Sequence, residues 1–365
     1  MGKLLTLVTT EIYILFNFIF VINLKKINKK FFKIDMIILL GLLTFQELGI
    51  DLPGYKKMFE DFLIKDLKSL VIEKSPIELS FRLLINIVKH FSSNSLFFLF
   101  IISLINVVLL YSILKKQKDK LLYFYFYFVI NFYFIMTNYL RQQLSLLFFL
   151  SGIFILHKRI KKYFFYMLSF IFHKSSIILG VVVLCIKFFR LKKFYLRNMI
   201  YFFLIGFLFY RIIYFVLLNY NGDNFHILYF RNYFFYFRKN TIFPTILHKI
   251  LFIFYIGYPF FLNLIFLIIL RKREVVNNID EIFYKMMIVG VYYCSFLLGL
   301  GLFSLGVFEI GMRSTYYFFI GNFYVIGNYI SLKKNRVLNI ILFSLIVKIF
   351  TIFVILQINR AIRIF

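Results

Sequence analysis

Long apolar runs punctuated by short basic clusters dominate the chain from end to end. Many runs approach the ~20 residues that a helix needs to cross a hydrocarbon core. In lipid every backbone N–H and C=O must be paired within its own element, so runs of this kind predict helices. A membrane β-barrel would instead show alternating segments of ~10 residues, and this chain has none. Spans are predicted at about 4–22, 36–47, 95–114, 121–139, 143–157, 199–218, 249–270, 282–306, 314–330 and 338–356. The expected fold is therefore all-α and polytopic, with about 10–12 membrane helices in a single transmembrane domain over residues 1–365.

Lysine and arginine near helix ends stay on the cytoplasmic side, and this orients the chain. Six basic clusters lie between the runs: Lys25 to Lys30, Lys115 to Lys120, Lys158 to Lys162, Arg190 to Arg197, Arg271 to Arg273, and Lys333 to Arg336. Placing all six inside puts both termini outside, together with two longer loops at about 47–94 and 219–248. The first of these loops mixes acids with bases, which suits an outer location. Within it, Ser75-Pro76-Ile77-Glu78 reads as a helix start, with Ser75 as N-cap, Pro76 at the first position and Glu78 as the capping-box acid. Phe81, Leu84, Ile85 and Val88, with Phe91 at the end, then share one face, with Arg82, Asn86 and Lys89 elsewhere, as in an amphipathic helix at the interface.

One run resists a single span. Residues 163–189 are broken by His173-Lys174-Ser175-Ser176, between two basic clusters. A broken half-helix pair keeps both clusters on one side, and such a break is tolerated where it is buried in protein or lines a watery cavity. One tilted helix is the alternative, and it would invert every later loop.

Composition narrows the class. The chain has 365 residues, is 62% hydrophobic, and carries a net charge of +29 with only 15 acids. Its basic residues are spread between apolar runs and form no single patch, so nucleic acid is not an expected partner. The first run, about Leu4 to Val21, leads into Asn23 and lysines instead of a small-residue cleavage site, so no removable signal peptide is expected. Cys185 and Cys294 both sit in apolar runs and read as inert buried thiols. No Asp-x-Asp, His or Cys spacing suggests a bound cation, and no cofactor is expected.

Ionisable groups in or beside spans are costly and invite a functional reading. On this topology Asp51, Tyr55, Glu78, Arg141 with its neighbours Gln142 and Gln143, His173 and Arg313 gather toward the outer face. Each also has a structural reading. Arg141 and Arg313 would snorkel from helix ends to headgroups, His173 would bond a carbonyl at the break, Asp51 would serve a turn, and Glu309 would pair with Arg313. As a set they suit another task. Two arginines make a planar, permanently charged clamp for pyrophosphate. A histidine can take a proton from a sugar hydroxyl, and a carboxylate can orient either partner.

The spaced residues Asp51-x3-Tyr55-x3-Phe59, Glu78-x2-Phe81, Tyr139-Leu140-Arg141-Gln142 and Phe172-His173-Lys174-Ser175-Ser176 resemble the EpsG-like family of polysaccharide polymerases, related in role to the Wzy polymerases of O-antigen and capsule. The last motif departs from the family pattern only in Ser176, which stands where alanine is usual, and Arg313 before Tyr316-Tyr317 resembles a late family arginine. The resemblance implies a membrane-embedded, metal-independent glycosyltransferase of the bacterial cytoplasmic (inner) membrane with its active face extracytoplasmic. Its substrates would be undecaprenyl-pyrophosphate-linked oligosaccharides, with a flippase and a chain-length regulator as possible partners beside the lipid bilayer. The resemblance makes His173, Arg141, Glu78 and Asp51 the catalytic set and Arg313, Gln142, Tyr55 and Ser175 the substrate-binding set. A lipid-linked oligosaccharide flippase, an O-antigen ligase and an O-acyltransferase are the competing classes. A transporter would show repeated halves with matching breaks, whereas the break at His173 has no counterpart in the second half of this chain.

Overall fold

The computed structural model describes residues 2–23, 29–47, 52–72, 77–115, 117, 119–131, 140–154, 159–173, 176–188, 194–220, 222, 260–270, 277–301, 317–333 and 335–348. Among these residues the chain is helical, with no strand. The helices are α1 (Gly2–Asn23), α2 (Lys29–Phe45), α3 (Leu52–Asp61), α4 (Leu67–Ile72), α5 (Leu79–Phe91), α6 (Ser95–Leu114), α7 (Lys120–Asn131), α8 (Leu140–Phe154), α9 (Arg159–Phe172), α10 (Ile177–Phe188) and α11 (Leu196–Leu218). They continue with α12 (Phe260–Ile269), α13 (Asn278–Gly301) and α14 (Asn322–Leu332), and residues 336–348 are helical again. Within the described residues, four helices are long and apolar enough to cross a bilayer: Leu5–Ile22, Ser95–Leu114, Leu196–Leu218 and Asn278–Leu300. Shorter apolar helices accompany them, and the protein is an all-α polytopic membrane protein.

Most predicted spans fall on these helices. The second begins earlier than expected: α2 reaches back to Lys29 and so includes Asp35, which is buried. The Tyr13 hydroxyl of α1 donates to the Asp35 carbonyl at 2.9 Å, a contact that ties the two helices together. The polar break is present, since α9 ends at Phe172 and α10 starts at Ile177. Neither helix, at 14 and 12 residues, has the length of a full span. The loop predicted at 219–248 lies almost entirely outside the described residues.

The chain divides into two compact units, Met1–Gly180 with Ile326–Ile340, and Val181–Val325 with Ile341–Phe365. In the second unit α11 and α13 run against each other at two glycines. A Cβ on Gly206 would lie 2.0 Å from the Phe296 carbonyl oxygen, and one on Gly299 would lie 2.1 Å from that of Phe203. Small residues that let backbones touch are a recurrent device of membrane helix packing. The outward side of α11 leaves Leu204, Leu208, Ile212 and Phe215 exposed, as lipid-facing residues must be.

The first unit holds the candidate site. Its loop 47–94 holds α3, α4 and α5: α3 and α5 pack on α6, α5 also packs on α9, and α4 packs on α5. Leu52, Phe59, Phe81, Ile85, Phe98 and Leu140 form the centre of this core, with Phe59 stacked on Phe98 at 4.6 Å between ring centroids. Polar contacts fix the same elements. Lys89 on α5 donates to the carbonyls of Phe59 (2.7 Å), Glu60 (2.6 Å) and Phe62 (2.5 Å) at the end of α3, where helix carbonyls lack partners. Asn86 exchanges two hydrogen bonds with the Lys65 backbone, at 2.9 and 3.0 Å.

Two expectations about α5 need correction. The helix begins at Leu79 with Glu78 at the N-cap position, and the Glu78 side chain makes no capping hydrogen bond. Its carboxylate bonds Arg141 and His173 instead, and the guanidinium binds it more strongly than a neutral amide would. Arg82 and Asn86, expected off the buried face, are themselves buried, and backbone carbonyls of Ile77 and Lys65 satisfy them.

Candidate functional site

Helices α5, α8 and α9 each bring one charged or titratable side chain to a common point. Glu78 sits at the head of α5, Arg141 in the first turn of α8, and His173 one residue past the end of α9. Packing of α8 on α9 sets the last two. Ser145 and Ser169 hydroxyls meet at 3.0 Å, Phe148 packs on Phe172 at 5.1 Å, and Phe149 stacks on Tyr166 at 5.0 Å.

Glu78 bridges the other two. Arg141 Nη1 donates to Glu78 Oε2 at 2.5 Å, and His173 Nδ1 lies 2.9 Å from Glu78 Oε1. Both carboxylate oxygens are thus engaged, one by each partner. The Glu78 side chain is only 8% exposed, whereas Arg141 and His173 keep 26% and 25%, so an incoming substrate meets the guanidinium and the imidazole before the carboxylate. Burial alone would raise the Glu78 pKa, but the hydrogen bond from His173 and the charge of Arg141 outweigh it and hold the carboxyl at about 2. Glu78 is an anion throughout the physiological range.

Arg141 is held on further sides. Its guanidinium hydrogen-bonds the Tyr55 hydroxyl of α3 and stands 5.9 Å over the Phe81 ring. Tyr55 itself packs edge-on to Phe81 at 5.9 Å. Phe81 therefore braces the cation while its other contacts lie in the core, and the guanidinium plane is fixed by aromatic and ionic neighbours together.

The break after α9 shapes the surroundings of His173. Its N–H donates to the Ser169 carbonyl at 3.2 Å, and its own carbonyl accepts from Ser176 N–H at 2.9 Å. Ser169 and Ser176 also line a cleft of about 190 Å³, whose remaining wall includes Phe149, Tyr166 and Phe170.

Of the eight residues singled out in the sequence, the structure brings Tyr55, Glu78, Arg141 and His173 together. Gln142 is buried beside Arg141. Asp51, Ser175 and Arg313 lie outside the described residues. Sequence reasoning placed Glu78 in the catalytic set beside a capping role, without pairing it to both Arg141 and His173 at once. Gln143, in the first turn of α8 beside Gln142, is 1% exposed, and its side-chain amide has no hydrogen-bond partner among the described residues.

The arrangement can do definite chemistry. A buried carboxylate on Nδ1 fixes the orientation of the imidazole and stabilises its protonated form, leaving Nε2 as the nitrogen that exchanges a proton with substrate. The adjacent guanidinium offers a permanent charge to an oxyanion.

No curated protein and no solved structure matches the chain. A family model does: the EpsG family matches over residues 29–364, a range that contains all of the residues just described. EpsG-like proteins are Wzy-type polymerases, that is, glycosyltransferase-like polysaccharide polymerases. With nearly its whole length covered by that match, this multi-pass membrane protein belongs to the EpsG family.

Proposed function

We propose that the protein joins oligosaccharide repeat units carried on undecaprenyl pyrophosphate, at the outer face of the bacterial cytoplasmic membrane, in the synthesis of a capsule, O-antigen or exopolysaccharide. The observation that carries this reading is the Glu78 carboxylate shared between Arg141 and His173. In the reaction, a hydroxyl of the incoming lipid-linked unit attacks the anomeric carbon of the growing chain. The new glycosidic C–O bond forms as the bond from that carbon to the pyrophosphate breaks. His173 Nε2 takes the hydroxyl proton, and Glu78 on Nδ1 steadies the imidazolium that results. The electron pair of the broken bond leaves on undecaprenyl pyrophosphate, whose added charge is met by Arg141. Arg313 is proposed as a second cation for the same group, with the charge balanced by guanidinium groups in place of a metal. Asp51, Gln142 and Ser175 are proposed to hold the sugars, and Tyr55 to steady Arg141 toward the substrate. A flippase would supply the lipid-linked units and a chain-length regulator would set the product size.

Purified protein in proteoliposomes, given lipid-linked repeat units alone, tests this reading. Longer glycans should appear with one undecaprenyl pyrophosphate released per linkage. Movement of the lipid-linked unit across the bilayer without release would instead make the protein a transporter. Transfer to a different acceptor lipid without chain growth would make it a ligase.

A further inference from the structure

The first turn of α5 touches the last turn of α9 twice. Glu78 meets His173 at 2.9 Å, and Ser80 Oγ donates to the Ile171 carbonyl at 2.6 Å. The two contacts are successive rungs, since two steps forward from Glu78 along α5 and two steps back from His173 along α9 reach the second pair. The Ile171 carbonyl belongs to the final turn of α9, where carbonyls have no donor within their own helix. The chain leaves the helix at His173, whose N–H is taken by Ser169. Ser80 supplies a donor from the neighbouring helix.

This second rung matters because α5 itself does little to aim the carboxylate. The Glu78 side chain makes no capping bond to its own helix. Phe81, fully buried against Phe98 at 6.0 Å, fixes how α5 rolls on the core. Lys89 and Asn86 tie its far half to α3 and the loop after it. None of these sets how far the first turn stands from the end of α9. Ser80 does, because a short side chain with one rotatable bond to its hydroxyl leaves little slack between the two backbones.

We infer that Ser80 is a positioning residue for the glycosyl transfer: its hydroxyl holds the head of α5 against the end of α9, so that Glu78 stays on His173 Nδ1. The inference rests on the reading of Glu78 and His173 as the proton-handling pair. The Ser80 hydroxyl is engaged with backbone, so it acts through that pair and not on the sugar.

The test uses the reconstituted full-length protein with lipid-linked repeat units, comparing Ser80→Ala and Ser80→Thr with the parent and with His173→Ala. Because misplacement of a catalytic group by a fraction of an ångström to an ångström is felt chiefly in turnover, Ser80→Ala should lower kcat by about tenfold to a hundredfold. KM for the lipid-linked unit should stay within about twofold, since uniform binding is untouched. The hydrogen bond lies at an exposed position, so the melting temperature should stay within about 2 °C. Ser80→Thr, which keeps the hydroxyl, should restore most of kcat. Normal kcat in Ser80→Ala would overturn the inference. So would a raised KM at unchanged kcat, which would put Ser80 on the substrate. A lower melting temperature with unchanged kcat per folded molecule would reduce Ser80 to a structural contact and also overturn it. The His173→Ala arm keeps the two claims apart. Full activity there sinks the underlying reading, whereas an inactive His173→Ala beside a fully active Ser80→Ala sinks the positioning role alone.

Discussion

His173 and Glu78 stand 95 residues apart in the chain and meet at 2.9 Å, imidazole Nδ1 to carboxylate Oε1. The other oxygen of the same carboxylate holds Arg141, 63 residues away. A buried anion between a partly exposed guanidinium and a partly exposed imidazole has an evident electrostatic logic. It fixes both, and it lowers the cost of keeping a permanent positive charge close to a group that must gain a proton. The predictions below follow from that shared carboxylate.

Arg141→Lys should lose most polymerising activity although the charge is retained. The ammonium cannot reproduce a planar fork that bonds Glu78 and Tyr55 and still faces phosphate oxygens. Polymer length and amount in cells, set against protein level, measure this. Normal polymer would leave Arg141 as an end-of-helix residue reaching for headgroups.

Glu78→Gln should reduce turnover by about a hundredfold or more, through loss of imidazolium stabilisation. It should also change how stability responds to acid. The Glu78 pKa is depressed in the folded protein, from 4.5 to about 2. Its contribution to stability is therefore complete above about pH 4.5 and is lost as pH falls toward 2. Melting of the detergent-purified protein should separate parent from Glu78→Gln at neutral pH, and the gap should narrow below pH 4.5. A gap that stays constant into acid would mean that the ion pair contributes nothing to the fold.

Much of this was legible in the sequence, and what was not has an identifiable cause. Helix positions follow from apolar runs, because in lipid length and hydropathy decide nearly everything. The break at His173 to Ser176 shows as polar residues inside such a run. Glu78 was legible as an acid near a helix start and as a member of the catalytic set, but its two partners were not, since they lie 63 and 95 residues away. Arg82 and Asn86 read as outward-facing because the carbonyls that satisfy them belong to Ile77 and to Lys65 of a preceding loop. Ser80 carries no signal at all in one dimension, since nothing beside it marks a bond to Ile171.

Gln143→Met should stabilise the protein. The Gln143 amide is buried without a partner among the described residues, and such a group costs on the order of 1–3 kcal/mol. An apolar side chain of similar length removes that cost, so the melting temperature of the purified protein should rise with activity kept. A fall would show that the amide meets a group in the membrane-embedded protein.

Orientation is open to direct labelling. Single cysteines at Lys65 and Asn224 should react with an impermeant reagent in intact cells, while one at Lys118 should not. A reporter fused at Lys193 should behave as cytoplasmic if α9 and α10 enter and return as a broken pair. Labelling at Lys118 from outside would reverse the orientation and with it the face on which Glu78, Arg141 and His173 work.

The most direct measurement is the fate of lipid-linked repeat units in cells carrying His173→Ala or His173→Gln at parental protein levels. Loss of the proton acceptor removes about 10²–10⁴-fold in rate. Both variants should therefore accumulate single lipid-linked units with at most traces of dimers, while the melting temperature stays near that of the parent. Full-length polymer from a well-expressed His173→Gln variant would contradict the account. Glutamine keeps a hydrogen-bonding group for Glu78 but cannot take up the proton, so chain growth with it would leave His173 with a structural role only.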